Sequence, residues 1–125
     1  MAKTMLIVDD HELFRTTARA LLEDEGFGVV GEAADAAEAL AEADRLRPDV
    51  VVLDVQLPDA TGFEVSHLLL TRGLTGQVVL VSSRHASEYG DLVDESGASG
   101  FITKDELSGC SLARVLEQGD RHDAQ

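Results

Sequence analysis

Val50–Asp54 reads VVVLD, four apolar residues closed by an aspartate. The valines are β-branched and favour extended backbone. No position in the run turns polar, so both faces of this strand must be covered. That is the pattern of a parallel sheet between two layers of helix. Met5–Val8 (MLIV) and Val78–Val81 (VVLV) repeat it. Two weaker runs complete the set: Val29–Val30, bracketed by glycines, and Phe101–Thr103.

The segments between these runs read as helices. His11–Glu25 carries Leu13, Phe14, Ala18, Leu21 and Leu22 at helical spacing, and Gly26 suits a C-terminal cap. Asp35 and Glu38 form a D-x-x-E start signal, and Pro48 stops the helix that follows. Gly62–Arg72 carries Phe63, Val65, Leu68 and Leu69. Arg84–Ser96 is read as a fourth helix although Gly90 sits in its middle. Glu106–Gln118 carries Leu107, Leu112, Val115 and Leu116. Strand and helix thus alternate along the whole chain. This predicts an α/β fold, a three-layer α/β/α sandwich about a five-stranded parallel sheet. The domain is expected to span residues 1–118, and the polar tail 119–125 (GDRHDAQ) to fray.

Composition narrows the function. The 125 residues suffice for one domain with a real core. Twenty-four acidic residues against ten basic ones leave a net charge of −14, which repels nucleic acid and anionic membranes. No stretch approaches the roughly 18 apolar residues of a membrane span, and the N-terminus lacks a signal-peptide pattern. Cys110 is the only cysteine, which excludes an intrachain disulfide and fits a reducing, cytoplasmic setting. It is expected to pack on the last helix.

In an open parallel sheet, ligands bind beyond the carboxyl ends of the strands. Asp9 and Asp10 follow the first strand, Asp54 the third, Ser82 and Ser83 the fourth, and Lys104 the fifth. Glu32 follows the second, one strand further out. A single acid at a strand end is most often a turn former or a cap. Carboxylates, a hydroxyl and an ammonium at four strand ends need a joint explanation. Two carboxylates about 4 Å apart repel by about 1 kcal/mol in water and about 4 kcal/mol in a shielded site. Taking up a proton or a divalent cation relieves this. Oxygens that open onto water suit Mg2+, or Mn2+ in its place. The four histidines (His11, His67, His85, His122) form no cluster in the sequence, which argues against zinc. His11 is expected to begin the first helix in solvent.

From about Thr4 to about Gln118 the chain resembles the CheY-like response-regulator receiver domain of bacterial two-component signalling. The resemblance rests on Asp9-Asp10, Asp54, Ser82 and Lys104. It also rests on D-x-x-x-P-x-x-x-G (Asp54, Pro58, Gly62) and on G-A-x-G-aromatic (Gly97 to Phe101). It implies a flavodoxin-like (βα)5 fold with strand order 2-1-3-4-5. It further implies that Asp54 is the phosphoryl acceptor. Asp10 would be the direct metal ligand, Asp9 a ligand through water, and the Gln56 backbone carbonyl a third ligand beside Asp54. Lys104 would neutralise the phosphoryl oxygens, and Ser82 would hydrogen-bond them after transfer. Phe101 would be a switch that turns inward when Ser82 moves. Gln56 and Arg84, each two residues beyond a site residue, would tune how fast water reaches the phosphoryl group. The implied donor is a histidine kinase or a small acyl phosphate. The implied output is contact with a downstream protein, with an output domain of its own, or with a second copy of the chain. Such a protein is a signalling phosphoacceptor with self-catalysed transfer and hydrolysis only.

The chain departs from the family pattern in places. Asp105 follows Lys104 where many receivers have proline, and Lys-Asp resembles the subgroup that carries a LuxR-like helix-turn-helix. The few residues beyond Gln118 are too short for that domain, so a fragment or a stand-alone receiver is expected. Ala60-Thr61 replaces the usual Met-Asp, which implies a local loop change. A haloacid-dehalogenase-type phosphatase needs D-x-D-x-T/V after its first strand, which is missing. An FMN phosphate would be repelled by Asp9-Asp10-His11-Glu12. The alternative within the family is a degenerate receiver that acts as a phosphorylation-independent scaffold.

Overall fold

Side chains of the central strands alternate between two cores, and this builds the three layers. Leu6, Val8, Val51, Leu53, Val78 and Leu80 face one core. Met5, Ile7, Val50, Val52, Val79 and Val81 face the other. All of these are fully buried. A strand covered on both faces has no position left for a polar residue, which is why VVVLD lacks one until its end.

The computed structural model describes residues 3–123. Its elements are β1 (Thr4–Val8), α1 (Glu12–Asp24), β2 (Gly28–Ala33), α2 (Ala36–Leu46), β3 (Val50–Asp54), α3 (Gly62–Thr71), β4 (Gln77–Ser82), α4 (Leu92–Glu95), β5 (Gly100–Thr103) and α5 (Gly109–Asp123). The strands form one parallel sheet in the order β2-β1-β3-β4-β5, the order that the resemblance implied. Helices α1 and α5 cover one face through Ala18, Leu22, Leu112 and Leu116. Helices α2 and α3 cover the other through Ala39, Ala43, Val65 and Leu69. None of the described helices is long and apolar enough to cross a membrane.

Local chemistry sets most boundaries. The Asp35 carboxylate accepts from the Glu38 N–H at 2.8 Å, and Glu38 reaches back to the Ala34 N–H at 2.9 Å. These bonds occupy donors at the helix start that have no partner within the helix. Gly26, at φ +95°, follows the C-cap of α1 as its sequence predicts. Strand β2 reads weakly because it is an edge strand with a bulge. Met5 pairs with Val29 and Leu6 with Gly31, which leaves Val30 unpaired and exposed.

Four expectations need correction. Arg84–Ser96 is no continuous helix: it is a 3-10 turn at Ala86–Glu88, a break, and the single turn α4. Gly90 sits in the break at φ +60°, a left-handed conformation that ends helical continuity. The last helix begins at Gly109 rather than Glu106, after a 3-10 turn at Lys104–Glu106. Ser108 decides that start, because its hydroxyl accepts from the Ser111 N–H at 3.0 Å while Ser111 Oγ accepts from the Ser108 N–H at 2.9 Å. The helix then passes through Gly119 to Asp123, so most of the expected tail is helical, while Ala124 and Gln125 lie outside the described residues. Cys110 lies on α5 as expected but is exposed instead of packed.

Candidate functional site

The sheet register brings the strand ends together. Asp54 is the last residue of β3 and pairs with Val81, one residue before Ser82 closes β4. Asp9 follows β1 and is tied to β2 by its N–H, which donates to the Ala33 carbonyl at 3.0 Å. Lys104 follows β5 and reaches back across the sheet. Its ammonium lies 2.5 Å from Asp9 Oδ2, 3.3 Å from Asp54 Oδ2 and 4.6 Å above the Phe14 ring centre.

The two neighbouring aspartates differ sharply. Asp9 is fully buried, and its Oδ1 accepts from the His11 N–H at 2.8 Å. Its Oδ2 makes no hydrogen bond of acceptable geometry and faces the Lys104 ammonium. Asp10 is exposed at the cleft. His11 stands at the N-cap position of α1 and is exposed, as expected, yet it is more than a bystander. Its Nδ1 lies 3.0 Å from Asp9 Oδ1 and 3.2 Å from Asp10 Oδ1.

Burial is the main cause that lifts the Asp54 carboxyl above the ordinary aspartate range, and the charge of Asp9 adds to it. The Lys104 ammonium and the Gln56 N–H, 3.3 Å from Oδ1, offset only part of this. Burial pulls Lys104 down, but its close ion pair with Asp9 and the charge of Asp54 leave it raised. The ammonium thus occupies the place where positive charge is most needed.

Asp9, Asp10, His11 and Asp54 each offer a ligand atom within 4.8 Å of the others. Hard carboxylate oxygens on three converging aspartates fit a divalent cation such as Mg2+. Asp10, Asp54, Gln56, Ser82, Ser83 and Lys104 line an open cleft of about 550 Å³.

The loop after Asp54 is held by three devices. Gly62 packs against the acceptor's own backbone. A Cβ there would stand 2.9 Å from Val55 Cα and closer still to the Asp54 carbonyl oxygen. The Asp59 carboxylate accepts from the Ala36 and Ala37 N–H groups at 2.8 and 3.1 Å, tying the loop to the start of α2. Thr61 caps α3 by accepting from the Glu64 N–H at 3.2 Å.

Ser82 is buried, and its Oγ accepts from the Arg84 N–H at 3.1 Å. The Arg84 side chain is exposed and is not among the residues that line the cleft. Ser82 Oγ also shares a 2.8 Å hydrogen bond with the Tyr89 phenol, in which either oxygen can donate. Phe101 is half-buried, its ring 5.9 Å from that of Tyr89. Tyr89 escaped the sequence reading because it carries no motif: only the break at Gly90 folds it back on Ser82. Glu32 lies off the cleft, where Arg15 and Arg19 pair with it at 3.0 and 2.8 Å. Arg15 also donates to the Asp9 carbonyl at 2.6 Å, so this network braces α1 against the strand ends.

The family model of the response regulator receiver domain matches residues 5–115. The chain belongs to the response-regulator receiver family. As a receiver it is a signalling module and not a metabolic enzyme. It is 40% identical over 116 residues to the DNA-binding transcriptional activator DevR/DosR of Mycobacterium tuberculosis, covering 90% of this chain and 52% of that protein. The signal receiver domain of the putative response regulator NarL from Mycobacterium tuberculosis superposes with TM-score 0.81 at 31% identity, covering 95% of this chain and 97% of that one. The chemotaxis response regulator CheY4 of Vibrio cholerae gives TM-score 0.81 at 28% identity, over 95% and 99% of the two chains. This receiver spans about half the length of the curated relatives it matches.

Proposed function

We propose that this receiver accepts a phosphoryl group on Asp54 and thereby switches a protein-interaction surface. The observation that carries the reading is the Asp54 carboxylate at the floor of an acidic cleft, 3.3 Å from the Lys104 ammonium. The donor is a phosphohistidine of a histidine kinase, or a small acyl phosphate. An Asp54 carboxylate oxygen attacks phosphorus in line, the bond from phosphorus to the donor breaks, and the donor group leaves with the bonding electrons.

Each residue has a share in this. Lys104 neutralises the phosphoryl oxygens, and its pairing with Asp54 opposes part of the rise that burial imposes on the acceptor's pKa. Asp9, Asp10, Asp54 and the Gln56 backbone carbonyl would hold Mg2+ or Mn2+. A bound ion supplies positive charge against the transferring oxygens. Ser82 turns to hydrogen-bond a phosphoryl oxygen after transfer, and Phe101 moves inward with it. The phosphoryl group adds about 1.5–2 negative charges, which biases the two packings of the β4–α4 and β5 region. Water attack on phosphorus then releases inorganic phosphate and restores the carboxylate. Gln56 lines the approach for that water. Arg84 flanks Ser82 and tunes the same step. The output is a downstream protein, a fused transcriptional domain of the LuxR type, or a second copy of the chain. Similarity to a DNA-binding activator supports the fused domain.

Labelling with a radioactive acyl phosphate and Mg2+ tests the acceptor. Wild type is expected to label and Asp54→Ala to stay unlabelled. Equal labelling of both overturns the assignment of Asp54, and a folded wild type that never labels favours the scaffold.

A further inference from the structure

Ser82 lines the cleft, but its hydroxyl is engaged elsewhere. Oγ meets the Tyr89 phenol at 2.8 Å and the Arg84 N–H at 3.1 Å. Tyr89 caps the 3-10 turn at Ala86–Glu88 and precedes Gly90 at φ +60°, so a tight turn carries it back over β4. Its ring stands edge-on to Phe63 at 5.4 Å and tilted to Phe101 at 5.9 Å. Phe101 itself has no hydroxyl with which to contact Ser82. One phenol therefore joins the strand-end serine to the aromatic cluster between α3 and β5.

We propose that Tyr89 is a positioning residue that holds the Ser82 hydroxyl away from Asp54, so that phosphorylation must break the Ser82–Tyr89 hydrogen bond. The inference rests on Asp54 as acceptor and adds a restraint to it. Ser82 Oγ has a single proton and two lone pairs, and the N–H of Arg84 takes one of these. Turning toward a phosphoryl oxygen swings Oγ about the Cα–Cβ bond and carries it away from the phenol, whichever of the two oxygens donates at rest. Freed from Ser82, the Tyr89 phenol loses this hydrogen bond while its ring keeps its contacts with Phe63 and Phe101, and the short α4 turn behind it loses an anchor. The Ser82 hydroxyl thus has two competing partners, the phenol at rest and a phosphoryl oxygen after transfer.

The chain offers its own reporter, since Tyr89 is the only tyrosine and there is no tryptophan. Ultraviolet difference spectra and intrinsic fluorescence therefore read this phenol alone. In ligand-free protein, Ser82→Ala is expected to shift the tyrosine spectrum. Beryllofluoride with Mg2+ is expected to shift wild type the same way and to leave Ser82→Ala nearly unchanged. Tyr89→Phe keeps the ring packing and removes the restraint. It is expected to bind beryllofluoride about fivefold more tightly, the equivalent of one net hydrogen bond of about 1 kcal/mol. A purely structural Tyr89 would lower stability without tightening binding. If beryllofluoride binds wild type, and Tyr89→Phe binds it no more tightly, the inference fails while Asp54 stands. Identical ligand-free tyrosine spectra for wild type and Ser82→Ala also overturn it. A folded wild type that does not bind beryllofluoride overturns both the acceptor and the restraint.

Discussion

Replacing Gly62 with alanine should damage the site from behind, through the backbone of the acceptor. The new Cβ would lie 2.9 Å from Val55 Cα and 3.0 Å from the Asp54 carbonyl carbon, where ordinary contact begins near 3.4 Å. The backbone must therefore give by about half an ångström, and by more at the Asp54 oxygen. These neighbours are buried main-chain atoms at the end of β3 and in the residue after it, and the Gly62 N–H is bonded to the Val55 carbonyl at 2.6 Å, so neither side can yield freely. Overpacking of this kind costs about 1–3 kcal/mol. Alanine's better helix propensity returns less than about 1 kcal/mol. Displacing a reacting group by about 1 Å can cost about a hundredfold in rate. Gly62→Ala is expected to unfold at lower urea with an unchanged slope and to label with acyl phosphate about a hundredfold more slowly. Gly73→Ala is the control. Gly73 has φ +65°, and a methyl added there would meet no atom within 4 Å, so only the left-handed backbone penalty of about 1–2 kcal/mol applies. It is expected to lose stability and keep the wild-type labelling rate. A Gly62→Ala protein that labels like wild type refutes this account of the motif's glycine.

Charge at the site yields further predictions. Asp54 has its pKa raised above the unfolded value of about 3.9, so ionising it opposes folding once the pH exceeds that value. Asp54→Asn should then raise Tm at pH 7, with the gain vanishing below about pH 4; a lower Tm at pH 7 contradicts it. Asp59 is the opposite case. The N–H of Ala36, with that of Ala37, depresses its pKa, so its stabilising contribution is present above about pH 4 and lost as the pH falls through the folded value. Asp59→Asn should show a Tm deficit at pH 6 that shrinks in acid, and a constant deficit rules out the charge. Lys104→Met strands the buried Asp9 carboxylate and should cost up to about 3 kcal/mol in urea melts, with Mg2+ returning part of it. Mg2+ should raise Tm in wild type by mass action, by about 2.7 kcal/mol of stability at one hundred times its Kd, and raise it far less in Asp10→Ala.

Much of this molecule is legible without coordinates. The continuous apolar runs announce strands covered on both faces, and β1, β3 and β4 begin and end within a residue of where the runs do. The residues that follow these strands converge as expected, because a parallel sheet sends every strand's carboxyl end to one edge. Failures cluster where local signals compete. The place of Arg84–Ser96 between two strands suggests a crossover helix, yet Gly90 takes a left-handed conformation that breaks it. The chain before α5 shows helical periodicity too, but the reciprocal Ser108 and Ser111 bonds move the start to Gly109.

The sequence by itself determined the sandwich, the parallel sheet and the acidic edge, because each follows from periodicity or from residue type at a strand end. Tertiary structure alone decided which aspartate is buried, since burial depends on how Arg15, Glu32 and Lys104 close over the end of β1. It also decided where Lys104 rests, spanning the distance from β5 to β1, and that Ser82 would find Tyr89. Such contacts join residues from different elements, and no local pattern encodes the angle at which a turn brings them together.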